Sequence, residues 1–212
     1  MTETALSGRA FVASLLQDVD ETVQRNKGVM PPGMDGPVLP EPILRHWLTF
    51  AVYYEKAATS FIGGWMRSTQ EPDAVVQFAH QIEDEANHFI WLRKHLLSFG
   101  IDAATFKPPK EWALLMEEFY PGLDHLVERL AAHNIASETG ALGFMEYNMD
   151  KFPAEIQATV RKVARDEKFH VAIGKRLLSK YCTTAELQER ARGATRSALD
   201  LMSAARRVFV RV

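Results

Sequence analysis

Apolar residues recur at helical spacing along almost the whole chain. Over residues 4–26, Leu6, Phe11, Leu15, Leu16 and Val19 fall on one side, which predicts an N-terminal helix. The stretch "GVMPPGMDGPVLPEP" ends it, because five prolines and three glycines deny the backbone the donors and the fixed φ values that a helix needs. From Ile43 the periodicity resumes to about Arg67. A break near Gln70 to Asp73 then leads into a second helix that stops near Phe99-Gly100, where glycine suits a helix end. These two helices form a predicted hairpin. An irregular connection with "KPPKEW" and "YPG" follows, with a short helix expected around Trp112 to Phe119. A second hairpin is predicted from a helix running from about Gly122 to Asp150 and another from about Pro153 to Lys180. Thr183 and Thr184 can cap a last helix toward Val208.

Few segments alternate with period two, so no sheet is expected and the class is all-α. The whole chain, 1–212, reads as a single domain whose core helices span about 43–181. Two hairpins joined by a connection of about 20 residues predict a four-helix bundle with one long crossover, with additional helices at both termini.

Two short motifs interrupt the apolar faces. "DEANH" (Asp84 to His88) returns 82 residues later as "DEKFH" (Asp166 to His170). The inner stripe of the second helix runs Phe78, Ile82, Glu85, His88, Leu92, Leu96, Phe99. In the fourth helix it runs Ile156, Val160, Val163, Glu167, His170, Gly174, Leu177. Glu and His three residues apart project from one side of a helix, so both can reach one ion. Burying them without a partner would cost several kcal/mol, which a metal or an ion-pair network must offset. The remaining helices supply matching acids on apolar stripes, Glu55 with Leu48, Val52, Ile62 and Met66, and Glu138 with Ile135, Leu142 and Met145. Glu55 lies 30 residues before Glu85, and Glu138 lies 29 before Glu167, so each hairpin brings its two carboxylates to nearly one height. Four Glu and two His form the inventory of a di-iron or di-manganese carboxylate site. Asp84 and Asp166 are assigned the task of orienting the two histidines, each serving either its own or the opposite motif.

Composition narrows the setting. With 47% hydrophobic and 25% charged residues the chain is ordinary for a globular protein, and a net charge of −2 offers no pull toward nucleic acid or an anionic membrane. Arg206, Arg207 and Arg211 read as a solvated helix end. Cys182 is the single cysteine, which excludes an intramolecular disulfide and a Cys-rich metal knuckle and suits a reducing compartment. No apolar run approaches the ~18 residues of a membrane span, and the N-terminus lacks the pattern of a secretory leader, so a cytoplasmic protein is expected. A homodimer would be compatible with the apolar content.

On Glu55, "DEANH", Glu138 and "DEKFH", over residues 43 to 181, the sequence resembles the ferritin-like superfamily of di-iron carboxylate proteins, in its oxygen-activating branch. The resemblance implies that Glu55, Glu85, His88, Glu138, Glu167 and His170 are the catalytic metal ligands. They would bind two iron ions, or manganese or a mixed Mn/Fe pair, that reduce dioxygen and oxidise a small organic substrate. The electrons would come from a separate reductase or ferredoxin. A peroxide- or iron-detoxifying protein is the alternative, and a metal-free interaction bundle is a third reading that requires the four Glu to be exposed. Leu92 and Leu142 depart from the radical tyrosine and the threonine of some relatives; Ala58, Ala141 and the single cysteine depart from rubrerythrins. Gly63, Gly64, Gly140 and Gly143 are expected to ease helix packing or open a pocket. Phe61, Trp65, Phe89, Phe144 and Tyr147 are core or cavity lining, and Tyr54 is a buried hydrogen-bonded tyrosine or a donor to the site. His46, His80, His95, His125 and His133 have no matching partners and are read as surface or satisfied core residues.

Overall fold

The computed structural model describes residues 5–26 and 36–208. The first part of the proline- and glycine-rich stretch and Arg211 lie outside them. Among the described residues the chain is all helical, with no strand. The order is α1 (Gly8–Asn26), α2 (Glu41–Met66) and α3 (Pro72–Ser98), then a connection holding the short α4 (Lys110–Ala113), a π turn (Leu114–Phe119) and α5 (Tyr120–Gly122). The second half runs α6 (Leu126–Arg129), a π segment (Leu130–Ser137), α7 (Glu138–Asn148), α8 (Ala154–Tyr181) and α9 (Ala185–Arg207).

Local chemistry explains the boundaries. Prolines open α2 and α3 at positions where no helical donor is lost. Gly100, at φ 76°, ends α3 in the left-handed region that a side chain disfavours. Thr184 caps α9 by accepting a hydrogen bond from the Leu187 N–H at 3.2 Å. His125 caps α6 in the same way, accepting from Val127 N–H at 3.3 Å while Glu128 accepts from the His125 N–H.

The continuous third helix expected from Gly122 to Asp150 is not what forms. Eight residues, Leu130 to Ser137, widen into a π segment, and every one of them is buried. Ser137 Oγ donates to the carbonyl of Ala132, five residues back, at 3.0 Å. The widened turn is held from both sides by α8 and α9. Those contacts also show why the terminal helices are integral. Phe11, Leu15 and Val19 of α1 and Ala191 and Ala198 of α9 are buried in the same apolar cluster as Phe61, Trp65 and Ile135.

The core divides into two apolar clusters, and four helices cross the boundary between them. On α2, Ile43, Leu48 and Val52 belong to one cluster and Ala58, Phe61 and Ile62 to the other. On α3 the division falls between Leu92 and Phe78, and on α8 between Val163 and Ile173. Met145 of α7 and Ile135 of the preceding π segment divide in the same way. Glu55, Glu85, His88, Glu138, Glu167 and His170 all stand in the gap. Burial of each large apolar side chain on either side contributes roughly 1.5–3 kcal/mol, so the two clusters can hold a polar layer that is itself costly.

No helix among the described residues is long and apolar enough to cross a membrane.

Candidate metal centre

The six residues converge. Ligand atoms of Glu55, Glu85, His88 and Glu167 lie within 4.8 Å of one another, and so do those of Glu85, Glu138, Glu167 and His170. Glu85 and Glu167 belong to both groups, so each can bridge two ions. The four carboxylates are only 0–5% exposed, and both histidines are fully buried.

Each histidine points Nδ1 inward and Nε2 outward. His88 Nδ1 is 3.3 Å from Glu85, 3.4 Å from Glu167 and 3.5 Å from Glu55. His170 Nδ1 is 3.1 Å from Glu167 and 3.6 Å from Glu85. The outer nitrogens meet the aspartates of the opposite motif: His170 Nε2 is 3.2 Å from Asp84, and His88 Nε2 is 3.5 Å from Asp166. An imidazole nitrogen carries at most one proton, so His88 Nδ1 cannot donate to three carboxylates at once. Glu55 Oε2 and Glu138 Oε2 are left buried with no hydrogen-bond partner. A divalent cation is the partner that satisfies such a set of converging lone pairs, so the residues fit a metal pair.

Electrostatics agree with a site that holds protons when it holds no metal. Burial, with the charge of Glu85 beside it, raises Glu55 well above the usual carboxylate range; burial and Glu167 do the same to Glu138. Burial opposes the ionised forms of Glu85 and Glu167 as well, yet hydrogen bonds and neighbouring imidazoles outweigh it and hold both below that range. Burial likewise disfavours charged His170, but bonds to Asp84 and Glu167 lift it to about 10, and the carboxylates around His88 raise that residue too.

A buried polar network backs one side of the centre, and its residues carry no motif. Gln81, one turn before Glu85, donates to Glu85 at 3.1 Å and lies 3.4 Å from His133 Nδ1. Asn134 donates to the Gln81 oxygen at 2.9 Å and to the His170 carbonyl at 3.2 Å. His133 Nε2 is 3.0 Å from Glu138, outside hydrogen-bonding geometry, and burial pushes this imidazole down to about 4. His133 is therefore not a bystander; the π segment brings residues five apart to one face, which a search at helical period does not detect. Of the other histidines, His80 is exposed, His95 meets Thr159 at 2.8 Å and His125 is a cap. Gly174 lets α8 approach this network, since a Cβ there would stand 2.7 Å from Asn134 Cβ.

The opposite side is open. A cavity of about 200 Å³ is lined by Glu55 and Glu167 together with Tyr54, Trp47, Phe50 and Phe144. The two sides occupy matching places in the repeat. Subtracting the 83-residue offset of Glu138 from Glu55 carries His133 and Asn134 onto Phe50 and Ala51. Adding the 82-residue offset of the two motifs carries Gln81 onto Val163. Phe50, Ala51 and Val163 all line the cavity. Phe144 is thus the one expected cavity aromatic found there; Phe61 and Trp65 are core, and Tyr147 is exposed. Tyr54 is buried, with its hydroxyl directed at Tyr120. A wider groove of about 710 Å³ along α2, beside Lys56 and Arg129, touches none of the six residues.

No family model matches the sequence, and no curated protein matches it. Solved structures do resemble it. A TenA homologue from Pyrococcus furiosus superposes with a TM-score of 0.77 at 14% identity, over 92% of this chain and 97% of that one. A domain of unknown function with a heme oxygenase-like fold, from Shewanella denitrificans, gives 0.64 at 15% identity, over 92% and 86%. This overturns the ferritin-like assignment. Level Glu-x-x-His motifs on two hairpins do not encode where the terminal helices dock, and here α1 and α9 complete the core. The oxygenase or oxidase reading, monooxygenase included, and the peroxide- or iron-detoxifying alternative rested on that resemblance and fall with it. The metal-free interaction bundle required exposed Glu55, Glu85, Glu138 and Glu167, and all four are buried. What the likeness shows is the fold, an all-helical one shared with the TenA homologue and the heme oxygenase-like domain.

Proposed function

We propose that the chain is a metal-dependent enzyme. Its centre holds two divalent ions of the iron or manganese kind on Glu55, Glu85, His88, Glu138, Glu167 and His170, and its substrate is a small organic molecule seated in the adjoining cavity. The observation that carries this reading is the pair of four-residue groups sharing Glu85 and Glu167. Oxygen and imidazole donors without a thiolate suit iron and manganese, and four carboxylates balance two dications. Such ions, when bound, polarise a substrate oxygen or acidify a coordinated water. The protein's own part is to aim both imidazoles through Asp84 and Asp166 and to exclude water with two apolar clusters. It also lines the cavity with Glu55 and Glu167.

Anaerobic titration with Fe(II) and, separately, Mn(II) tests the reading. Uptake of two ions per chain is expected, with none retained by Glu85→Ala. Less than one equivalent in the parent protein, or unchanged uptake in the variant, would refute it.

A further inference from the structure

The cavity carries a cation that the metal centre does not use. Arg206, in the last turn of α9, lines it together with Glu55 and Glu167. Its guanidinium lies over Gly140, where a Cβ would stand 3.1 Å from Nη2, so the absence of a side chain there makes room for it. Arg206 is an exposed residue whose guanidinium rests against Gly140; desolvation there lowers its pKa, and no carboxylate among the described residues offsets that. A guanidinium in this state lacks the bidentate oxyanion that its geometry matches. Most of the remaining lining is apolar, with Trp47 stacked on Phe144 at 5.9 Å.

We propose that the cavity takes a small monocarboxylate with an apolar body, its carboxylate on Arg206 and its far end toward Glu55 and Glu167. Arg207 lines the cavity as well, but Arg206 is the guanidinium seated over Gly140; one guanidinium matches one carboxylate, and about 200 Å³ admits only a small molecule. Glu167, held ionised, disfavours a second negative charge at the far end. This inference rests on the enzyme reading for its orientation, and on Arg206 for its charge.

Octanoate and its neutral analogue octanamide serve as probes, with binding measured by calorimetry on the full chain, both chelated and loaded with Mn(II). Octanoate is expected to bind at least tenfold tighter than octanamide. Arg206→Gln should erase that difference, Arg206→Lys should keep part of it, and both variants should retain the parent's metal stoichiometry. In the Mn(II) protein, proton relaxation should be faster at the octanoate methyl than at the methylene beside the carboxylate. Equal binding of the two probes, a preference that survives Arg206→Gln, or the reverse relaxation order would overturn the proposal. Absence of Mn(II) uptake would instead remove the two-metal reading, and the comparison in chelated protein would still decide the role of Arg206.

Discussion

Asp84 and His170 belong to different motifs on different helices, yet the Asp84 carboxylate lies 3.2 Å from His170 Nε2. Asp166 reaches back to His88 in the same manner at 3.5 Å. The exchange ties α3 to α8 outside the carboxylate layer and leaves both Nδ1 atoms facing inward. Asp84→Asn keeps the shape but removes the charge that holds the imidazole in place. Metal affinity should fall about 10–100-fold with the fold retained, as for other partners of ligating histidines. Competition against a fluorescent chelator measures this, and an unchanged affinity would show that Asp84 does not orient His170.

Ion stoichiometry should separate shared from private ligands. Glu55 belongs to one group only and Glu138 to the other, whereas Glu85 and Glu167 serve both. Glu55→Ala and Glu138→Ala are each expected to retain one Mn(II), and Glu167→Ala none. Metal analysis after gel filtration would read this, and two ions kept by Glu167→Ala would contradict the bridging role.

Gly174→Ala should be costly for a helical glycine far from any turn. The new Cβ would meet Asn134 Cβ at 2.7 Å and Ile135 Cδ1 at 3.1 Å, pushing α8 off the π segment. A loss of about 1–3 kcal/mol is expected, the usual range for overpacking. The urea midpoint would report it, and a shift toward higher urea would mean that the π segment yields without strain.

Without metal, stability should decline from neutral to alkaline pH. His170 rises from 6.5 in the unfolded chain to about 10, so its contribution is full below 6.5 and is lost as pH climbs through 10. Glu55 and Glu138, raised by burial, act in the same direction above 4.5. Glu167 works oppositely, since its depressed value adds stability above 4.5 that disappears on acidification. Melting temperature in a chelator should therefore fall between pH 6.5 and 10, and Mn(II) should shrink that fall by taking the place of the protons. A flat or rising profile in chelator would contradict the proton-holding site.

Much of the layer is legible in the sequence. The stripes Phe78 to Leu96 and Ile156 to Leu177 are the inner faces of α3 and α8, with Ile82 half-buried, because a helix that must bury one side writes its period into the chain. The heights of Glu55, Glu85, Glu138 and Glu167 followed from rise per residue alone. His133 escaped because its relation to Glu138 is a spacing of five, created by a π segment that tertiary packing imposes. Gln81 left a usable sign, an amide one turn before Glu85 on a face otherwise apolar. The docking of α1 and α9 left none, since an amphipathic helix states that it has a partner without naming it. That missing information is where the ferritin-like reading went astray.

The unequal backing of the two halves bears on the order in which ions come and go. An ion held by Glu55 and His88 would border the cavity, while one held by Glu138 and His170 would lie behind Gln81, Asn134 and His133. The pair should therefore be chemically alike but kinetically distinct. Removal by a chelator should proceed in two phases, the cavity-side ion leaving first, and a single phase would mean that the apparent seal opens as readily as the cavity.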